Sequence, residues 1–436
     1  EDALNIDLEG KDIDIGRLLV NTDYDVKGYV QAKGHIGGSL YNPNFNGSVT
    51  SNFLTINGEG ITNISGTLYA DTTVVNLEKF EFDEEQGGHY MARAGMSTVG
   101  DKRLFGTLQV TNGRVSNLLS LLGKPVDKLD GSLSGTVDLG GTYGNPSLNV
   151  VGSIKDVTID TKVVGDAKID ASLENRKFKI RTLKLPVDDG LIAAGGTVDL
   201  DGDADLQIAV RDVDIEPFLP LIGDNINATG SITGVINMTG ATQNPKVELS
   251  ASLANGSYNG IDIDQGFVLA TMENHVINVQ RIQGVKEDYK LSAYGKIPLA
   301  ALYTTGYLDA NDSKAMDMTI DFNEADMAVI PLITPTVKDA TGALKGVVHV
   351  TGTIDQPEAY GTVSVRNGTM KIKTVGNELK NIDGDLIFSG QQADFQSRIS
   401  AGKGTAGLAA KVNWTGHTMT SYRAAIQLDG LDFANE

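Results

Sequence analysis

Apolar and polar residues alternate with a period of two along most of the chain. The pattern is clear over residues 177–181, 206–210 and 363–366, where aliphatic or aromatic positions alternate with polar or small ones. Alternation over four to eight residues is typical of strands with one buried and one exposed face. No comparably long segment has the 3.6-residue period of a crossover helix, so a parallel α/β sheet is disfavoured. The sequence predicts an all-β protein.

Short polar pairs separate the alternating segments. Asn-Gly and Asp-Gly tolerate the positive φ angles of two-residue hairpin turns, so we predict turns at these pairs and an antiparallel meander between them. The pairs begin at Asn46, Asn57, Asn112, Asn255, Asn259, Asn367, Asp130, Asp189, Asp201, Asp383 and Asp429.

A long repeat organises the chain. Four prolines, Pro43, Pro146, Pro245 and Pro357, lie roughly 105 residues apart in matching contexts, three after Asn and one after Gln. Glycines recur fifteen and five residues before each proline, and apolar residues recur thirteen and seven residues before it. We expect one continuous array with approximate repeats at residues 8–109, 110–209, 210–321 and 322–427, and a fifth repeat beginning at 428. An array cut at both ends would belong to a longer protein.

A short helical segment is predicted at the start of each repeat. Residues 8–19, 110–119, 210–219 and 322–330 each end a strand and continue with an amphipathic turn, which Asp, Ser or Asn would cap.

The recurring glycines interrupt the apolar face of the predicted strands. The repeat columns lie an odd number of residues from the proline, so they share one face of an extended strand. Glycine inside a strand marks a bend, a bulge or a close approach by another group. Two interpretations are therefore open: the glycines only curve the sheet, or they also leave room for a ligand on its concave side. The predicted sheet-bending glycines are Gly28, Gly38, Gly131, Gly135, Gly141, Gly230, Gly234, Gly240, Gly342, Gly346 and Gly352.

The expected number of strands determines the predicted architecture. About 30 strands would be too many for one open twisted sheet, which curls or splits beyond about ten strands. The sequence has neither helices long enough to cover the apolar face nor Pro-rich or Ser-rich linkers between separate sandwiches. We therefore predict a long, curled antiparallel sheet that forms a U-shaped groove, with short amphipathic helical turns between repeats. Thirty strands at about 4.8 Å would extend for about 140 Å.

Composition excludes several classes of protein. The chain of 436 residues has 40 % apolar residues, which is too many for a disordered chain, and no Cys for disulfides, thiolate metal sites or a cysteine nucleophile. Its formal net charge of -20 disfavours binding to nucleic acid. It has no run of about 18 apolar residues and no signal peptide at its start.

No group of residues indicates catalysis. The five histidines, His35, His89, His275, His349 and His417, have no metal-binding spacing. Residues 199–205 are Asp-rich, but they lack the Glu of a calcium loop and fit a hairpin better. Residues 131–135 look like a nucleophile elbow with Leu133 in the place of Ser, and the single Trp414 fits an edge position. We expect no enzymatic activity, no metal and no cofactor.

The repeat block resembles a known family. Residues 131–146 read Gly-Ser-Leu-Ser-Gly-Thr-Val-Asp-Leu-Gly-Gly-Thr-Tyr-Gly-Asn-Pro, and the Asp-rich strand and Leu-rich helix of residues 210–222 precede the next copy. These patterns are similar to the TamB/AsmA-like family of diderm bacteria, over the whole chain. The resemblance implies a repeating β-groove (β-taco) protein of the periplasm and cell envelope, anchored in the inner membrane. It also implies a role in phospholipid transport and outer-membrane biogenesis, with an outer-membrane assembly-type barrel protein (the translocation and assembly module) as partner.

Our leading hypothesis is a hydrophobic conduit that moves phospholipids between the inner and outer membranes. Acyl chains would lie on the aliphatic face, and continuity of this face would matter more than any single residue. The alternatives are a non-transporting scaffold for outer-membrane protein assembly and, third, a β-repeat surface adhesin. The predicted lipid-contacting lining consists of Val30, Ile36, Leu133, Val137, Leu139, Leu148, Val150, Ile154, Leu206, Ile208, Val210, Ile232, Ile236, Met238, Val247, Leu249, Leu253, Leu344, Val348, Val350, Val363 and Val365.

Overall fold

The computed structural model describes residues 3–126, 128–222, 227–258, 261–287, 289–302, 313–333, 337–373, 378–401, 404–416 and 418–429. These residues form two compact units. The N-terminal unit comprises Glu1–Val213 and Pro217–Asp224, and the C-terminal unit comprises Asp214–Glu216 and Asn225–Glu436. Both are antiparallel β-sheets with a few short helices, so the predicted all-β class is confirmed.

The N-terminal unit is a meander in which each strand pairs with the next, from β1 to β13. Its strands are β1 (Ile6–Asp14), β2 (Val26–Gly38), β3 (Pro43–Ile56), β4 (Glu59–Asp71), β5 (Val74–Glu84), β6 (His89–Ser97), β7 (Leu104–Arg114), β8 (Leu129–Thr142), β9 (Asn145–Ile159), β10 (Lys162–Glu174), β11 (Lys177–Val187), β12 (Gly190–Asp199) and β13 (Asp203–Asp214). Its helices are α1 (Ile15–Leu18), α2 (Val115–Leu121) and α3 (Leu219–Ile222), the last preceded by a 3₁₀ turn at Glu216–Phe218.

The C-terminal unit continues the same pattern with one irregularity. Its strands are β14 (Ala228–Ala241), β15 (Lys246–Tyr258), β16 (Ile261–Glu273), β17 (Val276–Lys286), β18 (Tyr289–Pro298), β19 (Asp317–Glu324), β20 (Val337–Thr341), β21 (Leu344–Gly352), β22 (Pro357–Ile372), β23 (Leu379–Gly390), β24 (Gln392–Ala401), β25 (Gly404–Thr415) and β26 (Thr418–Asp429). The short β20 and β21 both pair with the long β22. Two 3₁₀ turns, Leu299–Ala301 and Met327–Val329, and α4 (Ile330–Ile333) complete the unit.

Six strands separate successive helical segments, so the helices all fall on the same edge of the sheet in each unit. We call this edge the helical rim. The opposite edge carries the turns that precede Pro43, Pro146, Pro245 and Pro357, and we call it the Asn-Pro rim. The predicted helical segments are confirmed in all four copies.

The N-terminal sheet is curled, because its helices contact strands well away from their own position in the meander. Leu121 of α2 follows β7, yet it belongs to the same buried cluster as Val30 of β2, Leu54 of β3 and Ile61 of β4. The amide Nδ2 of Asn57, in the β3–β4 turn, donates to the Leu121 carbonyl oxygen at 3.1 Å. In a flat sheet β2 and β7 would be about 24 Å apart, so the sheet bends around the helix.

The expected Asp, Ser or Asn caps are present at two helical segments but not at α2. Asp14 and Asp326 cap their own segments, accepting from the amides of Gly16 at 3.1 Å and Ala328 at 2.9 Å. At α2, however, the N-cap residue is Arg114, which makes no side-chain cap bond. Carboxylates from other strands satisfy the free amides instead.

Most of the predicted Asn-Gly and Asp-Gly turns are wrong. The pairs that begin at Asn57, Asp189 and Asp201 do form hairpin turns. Two further pairs, at Asn259 and at Asp429 with its Gly, lie wholly or partly outside the described residues. The other six, at Asn46, Asn112, Asp130, Asn255, Asn367 and Asp383, lie inside strands.

Three of the six in-strand pairs are explained by β-bulges. Asn112, Asn255 and Asn367 have φ of 53°, 48° and 54°, and the strand register shifts at each of them. A bulge of this kind requires the same positive φ as a tight turn, so the same residue types serve both. The bulges increase the local twist and contribute to the curl.

Candidate functional site

One face of the N-terminal sheet is apolar across every strand. Directly paired residues point to the same side of a sheet, so the pairing registers can be read as rows that run across the strands. One such row crosses all thirteen strands and contains only apolar residues and glycine: Gly10, Ala32, Val49, Gly66, Phe80, Ala92, Leu108, Val137, Val150, Ala171, Ile180, Gly196 and Leu206.

The C-terminal unit has an equivalent row across twelve strands. It passes from β14 to β19 and from β21 to β26, and it contains apolar residues and glycine up to β25 and a tyrosine on β26: Gly234, Ala251, Val268, Ile282, Ala293, Ile320, Val348, Gly361, Phe388, Ala393, Val412 and Tyr422. Each unit therefore presents an apolar stripe perpendicular to its strands.

The predicted lining residues lie on these apolar faces, in or beside the rows. Cross-strand pairing joins Val137 with Val150, Leu139 with Leu148 and Leu133 with Ile154 in the N-terminal unit. In the C-terminal unit it joins Ile232 with Leu253, Ile236 with Leu249 and Met238 with Val247. The sequence spacing alone had grouped these residues, and the register places them side by side.

Burial separates the predicted lining into two kinds. Val30, Leu344, Val348, Val363 and Val365 are buried, and the last four belong to a packed cluster in the C-terminal unit. Ile236 is 36 % exposed, and the other sixteen predicted lining residues are half-buried. The apolar face is thus packed by its own side chains around β21 and β22, and is partly open to solvent elsewhere.

The predicted sheet-bending glycines fall into three columns that differ in backbone conformation. The first column, Gly28, Gly131, Gly230 and Gly342, has φ between 126° and 155°. The last column, Gly38, Gly141, Gly240 and Gly352, has φ between 77° and 85° and lies just before the turn of the Asn-Pro rim. Residues other than glycine rarely adopt these φ angles, so the backbone conformation explains why both columns contain glycine. In the middle column, Gly135 lies against the partner strand: an added Cβ would be 2.6 Å from the Val151 carbonyl oxygen.

The opposite face of the N-terminal sheet is polar. One of its rows pairs Thr107 with Asp138, and continues through Asn149, Ser172 and Lys179. Arg181 crosses this face, donating to the carboxylate of Asp170 at 2.7 Å and to the hydroxyl of Ser172 at 2.8 Å. This face therefore carries charged and hydrogen-bonding side chains and is distinct from the apolar row.

A buried carboxylate network at the helical rim was not found from the sequence. Glu84 is 3 % exposed, and it accepts hydrogen bonds from the hydroxyl of Tyr90 at 2.5 Å and the amide of Arg114 at 3.1 Å. Burial, together with this hydrogen bond, raises the pKa of Tyr90 far above its usual 10.0. Since Arg114 is the N-cap residue of α2, the Glu84 carboxylate caps this helix from β5.

The Asn of the Asn-Pro motif also has a role that sequence reasoning missed. The side-chain amide of Asn145 donates to Asn175 at 2.8 Å, and that of Asn244 donates to Asn274 at 2.8 Å. Both acceptors lie in the next hairpin turn along the Asn-Pro rim, with φ of 50° and 51°. These bonds tie successive turns together, and the paired Asn in the Glu-Asn turns at 174–175 and 273–274 was the available signal.

The residues considered for chemistry are scattered or structural. His35 and His89 contact Asp7 and Asp83 at 2.8 and 2.7 Å, and His417 lies outside the described residues. The Asp-rich segment is a hairpin, since β12 ends at Asp199 and β13 begins at Asp203. Leu133 lies in β8, and the half-buried Trp414 donates to the Pro357 carbonyl oxygen at 3.3 Å. In the described part of the chain, no three His, Asp or Glu side chains are grouped as metal ligands.

None of the helices in the described segments has the length and apolarity needed to cross a membrane. In comparisons with known proteins, no protein-family model matches this chain and no curated protein is significantly similar to it.

Proposed function

We propose that the chain is a non-enzymatic conduit that carries phospholipid acyl chains along its apolar face. The observation that supports this proposal best is the thirteen-strand row of the N-terminal unit, in which no polar side chain interrupts the apolar surface. Twelve strand intervals of about 4.8 Å give a stripe about 58 Å long.

The stripe is longer than one acyl chain. The hydrocarbon core of a bilayer is about 30 Å thick, so one chain spans about 15 Å and the stripe could hold several in line. Each methylene removed from water contributes about 0.8 kcal/mol, so a fully covered chain of about 15 methylenes gains about 12 kcal/mol without any specific contact. A uniform surface lets the chain slide because no position binds it much better than the next.

The cellular setting is part of the same proposal and comes from the family resemblance. A conduit of this kind would cross the periplasm in an inner-membrane-anchored protein and supply phospholipid for outer-membrane biogenesis. An outer-membrane assembly-type barrel protein is the partner that the resemblance suggests.

A second function is favoured by one part of the C-terminal unit. Around β21 and β22 the apolar face is filled by its own residues, with Leu344, Val348 and Val363 each at most 7 % exposed. A filled face suits a passive scaffold for outer-membrane protein assembly, since it leaves no lumen for lipid at that point.

Photo-crosslinking separates the two functions. Leu249 is half-buried on the apolar face of β15, between Ile236 and Ala270, whereas Glu248 lies on the opposite face between Asn237 and Thr271. A photoreactive residue at Leu249 should capture phospholipid from vesicles, and one at Glu248 should not. Equal capture at the two sites, or none at Leu249, would leave the scaffold as the better explanation.

A further inference from the structure

The C-terminal unit contains a cavity at the helical rim of its apolar face. The cavity has a volume of about 290 Å³ and lies between the rim ends of β16 to β19 and the 3₁₀ turn Met327–Val329. Ile282, Leu291, Ile320 and Ala325 contribute to an almost entirely apolar wall, and Gly284 forms part of its surface. Ile282 and Ile320 belong to the apolar row, so the cavity opens from the stripe itself.

Other repeats fill the equivalent position with a side chain. The equivalent positions can be counted from the register shift that β5, β11 and β17 share. The shift comes immediately before Lys79 in β5, Thr182 in β11 and Arg281 in β17. Three residues further along, β5 has Phe82 and β11 has Leu185, whereas β17 has Gly284.

The side chains at the filled positions are well packed. The ring of Phe82 stacks on that of Tyr90 with centroids 4.7 Å apart, and Leu185 packs against the cluster of Val157, Ile159 and Val164. An added Cβ at Gly284 would meet no atom within 4 Å, and the residue does not have a positive φ. The cavity therefore exists because Gly replaces a large apolar residue at a site that could accept one.

The size of the cavity suits a medium-length acyl chain. An engineered apolar cavity of about 150 Å³ binds benzene, which has six carbons. A cavity of about 290 Å³ has about twice that volume, enough for about twelve carbons. Because the wall offers almost no polar partner, the buried part of the ligand should be hydrocarbon.

The lining of the cavity includes two lysines, Lys286 and Lys290, which differ in their ion pairs. Lys286 is half-buried there and makes no ion pair with any residue that the structure describes. Lys290 pairs with Glu324 at 3.0 Å, and the buried Asp326 accepts from the amides of Ala328 and Gly342. Asp262 also lines the cavity, but it is exposed and forms no ion pair with Lys286. Of the two lysines in the lining, Lys286 is therefore the one not already paired with a carboxylate among the described residues.

The filled repeats differ at this position too. Glu84 and Val187 occupy the place of Lys286, two residues after Phe82 and Leu185. Glu84 is held by hydrogen bonds to Tyr90 and Arg114, and Val187 is 2 % exposed. The apolar space and a lysine that has no ion pair among the described residues thus occur together in one repeat.

We propose that this cavity binds a single-chain anionic amphiphile, with an acyl chain of about twelve carbons in the cavity and a carboxylate or phosphate beside Lys286. The inference deepens the proposed function and rests on it: the conduit would have one station where an anionic single-chain lipid pauses.

Calorimetric titration of the full chain with dodecanoate, below its micellar concentration, tests the cavity. The wild-type chain should bind one molecule of dodecanoate more tightly than any further molecules. Gly284→Phe should lower the affinity for that molecule by at least about tenfold, because losing only two buried methylenes has that effect. Gly284→Leu provides a second, smaller filling in case the Phe variant does not fold. Gly407→Phe is the matched control, because Gly407 pairs with Arg398 and Gln427 and has room for a Cβ on the polar face.

The charge is tested with a neutral ligand of equal length. Lys286→Glu should weaken dodecanoate about fivefold and leave dodecanol unchanged. Lys345→Glu, which changes an exposed lysine on β21, should alter neither. Equal losses for the two ligands would refute the role of Lys286.

The outcomes distinguish this inference from the conduit. If Gly284→Phe folds and binds dodecanoate as wild type does, the cavity proposal fails even when vesicle-to-vesicle lipid transfer is normal. If dodecanoate binds in a manner sensitive to Gly284 while the chain transfers no phospholipid, the cavity stands and the conduit fails.

Discussion

A charge placed in the apolar row should block lipid movement without unfolding the protein. Val150 lies on β9 between Val137 of β8 and Ala171 of β10, and it is half-buried. Val150→Asp would put a carboxylate in the middle of the stripe. Its neighbour Val151 points to the other face, is 47 % exposed and pairs with Thr136 and Asp170, so Val151→Asp is the matched control.

The structure sets the expected loss of stability in Val150→Asp. Full burial of a Val side chain contributes about 1.5–3 kcal/mol, so replacing a half-buried one should lower the free energy of unfolding by about 1 kcal/mol. Such a loss is small for a unit of this size, and the half-open face lets the carboxylate stay hydrated.

Lipid movement should be affected much more. One strand spacing of about 4.8 Å matches about four methylenes, whose burial contributes about 3 kcal/mol. An acyl chain crossing the charge loses up to this amount, which corresponds to about a hundredfold slower transfer, or about tenfold if only half of the contact is lost.

The assay is transfer of a fluorescent phospholipid from donor to acceptor vesicles by the purified chain, with urea unfolding followed in parallel. We expect a tenfold to hundredfold lower rate for Val150→Asp and a rate within about twofold of wild type for Val151→Asp. A Val150→Asp protein that folds and transfers lipid at the wild-type rate would refute the reasoning, as would equal losses in the two variants. The more disruptive Ile154→Arg, at a residue packed against the cluster of Val157 and Ile159, should repeat the effect with a larger loss of stability.

Two further predictions concern stability. Burial and the hydrogen bond to Glu84 raise the pKa of Tyr90 in the folded protein, so above pH 10.0 its phenol ionises in the unfolded chain but stays neutral in the fold. The contribution of Tyr90 to the free energy of unfolding is therefore fully present below pH 10.0 and should fall as the pH rises above that value. In urea unfolding above pH 10.0, the free energy of unfolding should fall less steeply with pH for Tyr90→Phe than for wild type. An equal pH dependence in the two proteins would contradict the role given to the Tyr90 phenol. Gly141 has φ of 77° and its added Cβ would lie 2.4 Å from the Asn145 carbonyl oxygen, so Gly141→Ala should cost about 2 kcal/mol. Gly144→Ala, at ordinary φ and with no atom within 4 Å of an added Cβ, should cost less than about 0.5 kcal/mol in the same urea titration.

The strands and their order could be predicted because their signal is local. Alternation in residues 177–181 requires only that one face be buried, and β11 (Lys177–Val187) contains that segment. The helical turns were predictable for the same reason, since Asp14 and Asp326 cap segments only two residues away.

The features that sequence reasoning missed depend on partner strands. Asn112-Gly113 has the composition of a hairpin turn, and only its pairing with β8 makes it a bulge. Glu84, Tyr90 and Arg114 come from β5, β6 and β7, and nothing in their spacing brings them together. The cavity beside Gly284 is visible only after the register has aligned it with Phe82.

The bulges also explain how the apolar rows stay continuous. A one-residue bulge would turn every later side chain of a strand to the other face, so regular alternation beyond it would put polar groups into the row. In β17 the apolar positions on either side of the shift are Val279 and Ile282, three residues apart instead of two.

The same spacing of three occurs at the equivalent shifts of β5 and β11, at Leu77 with Phe80 and at Ile180 with Leu183. In each strand the spacing of apolar residues is three instead of two at the point where the register shifts. Because of this change, the apolar side chains before and after the bulge lie on the same face. A sheet with two polar faces could place its bulges without this compensation. Matched compensation in three repeats argues that the sequence maintains one continuous apolar face, which the proposed conduit and a self-packed scaffold would both need, so lipid transfer has to decide between them.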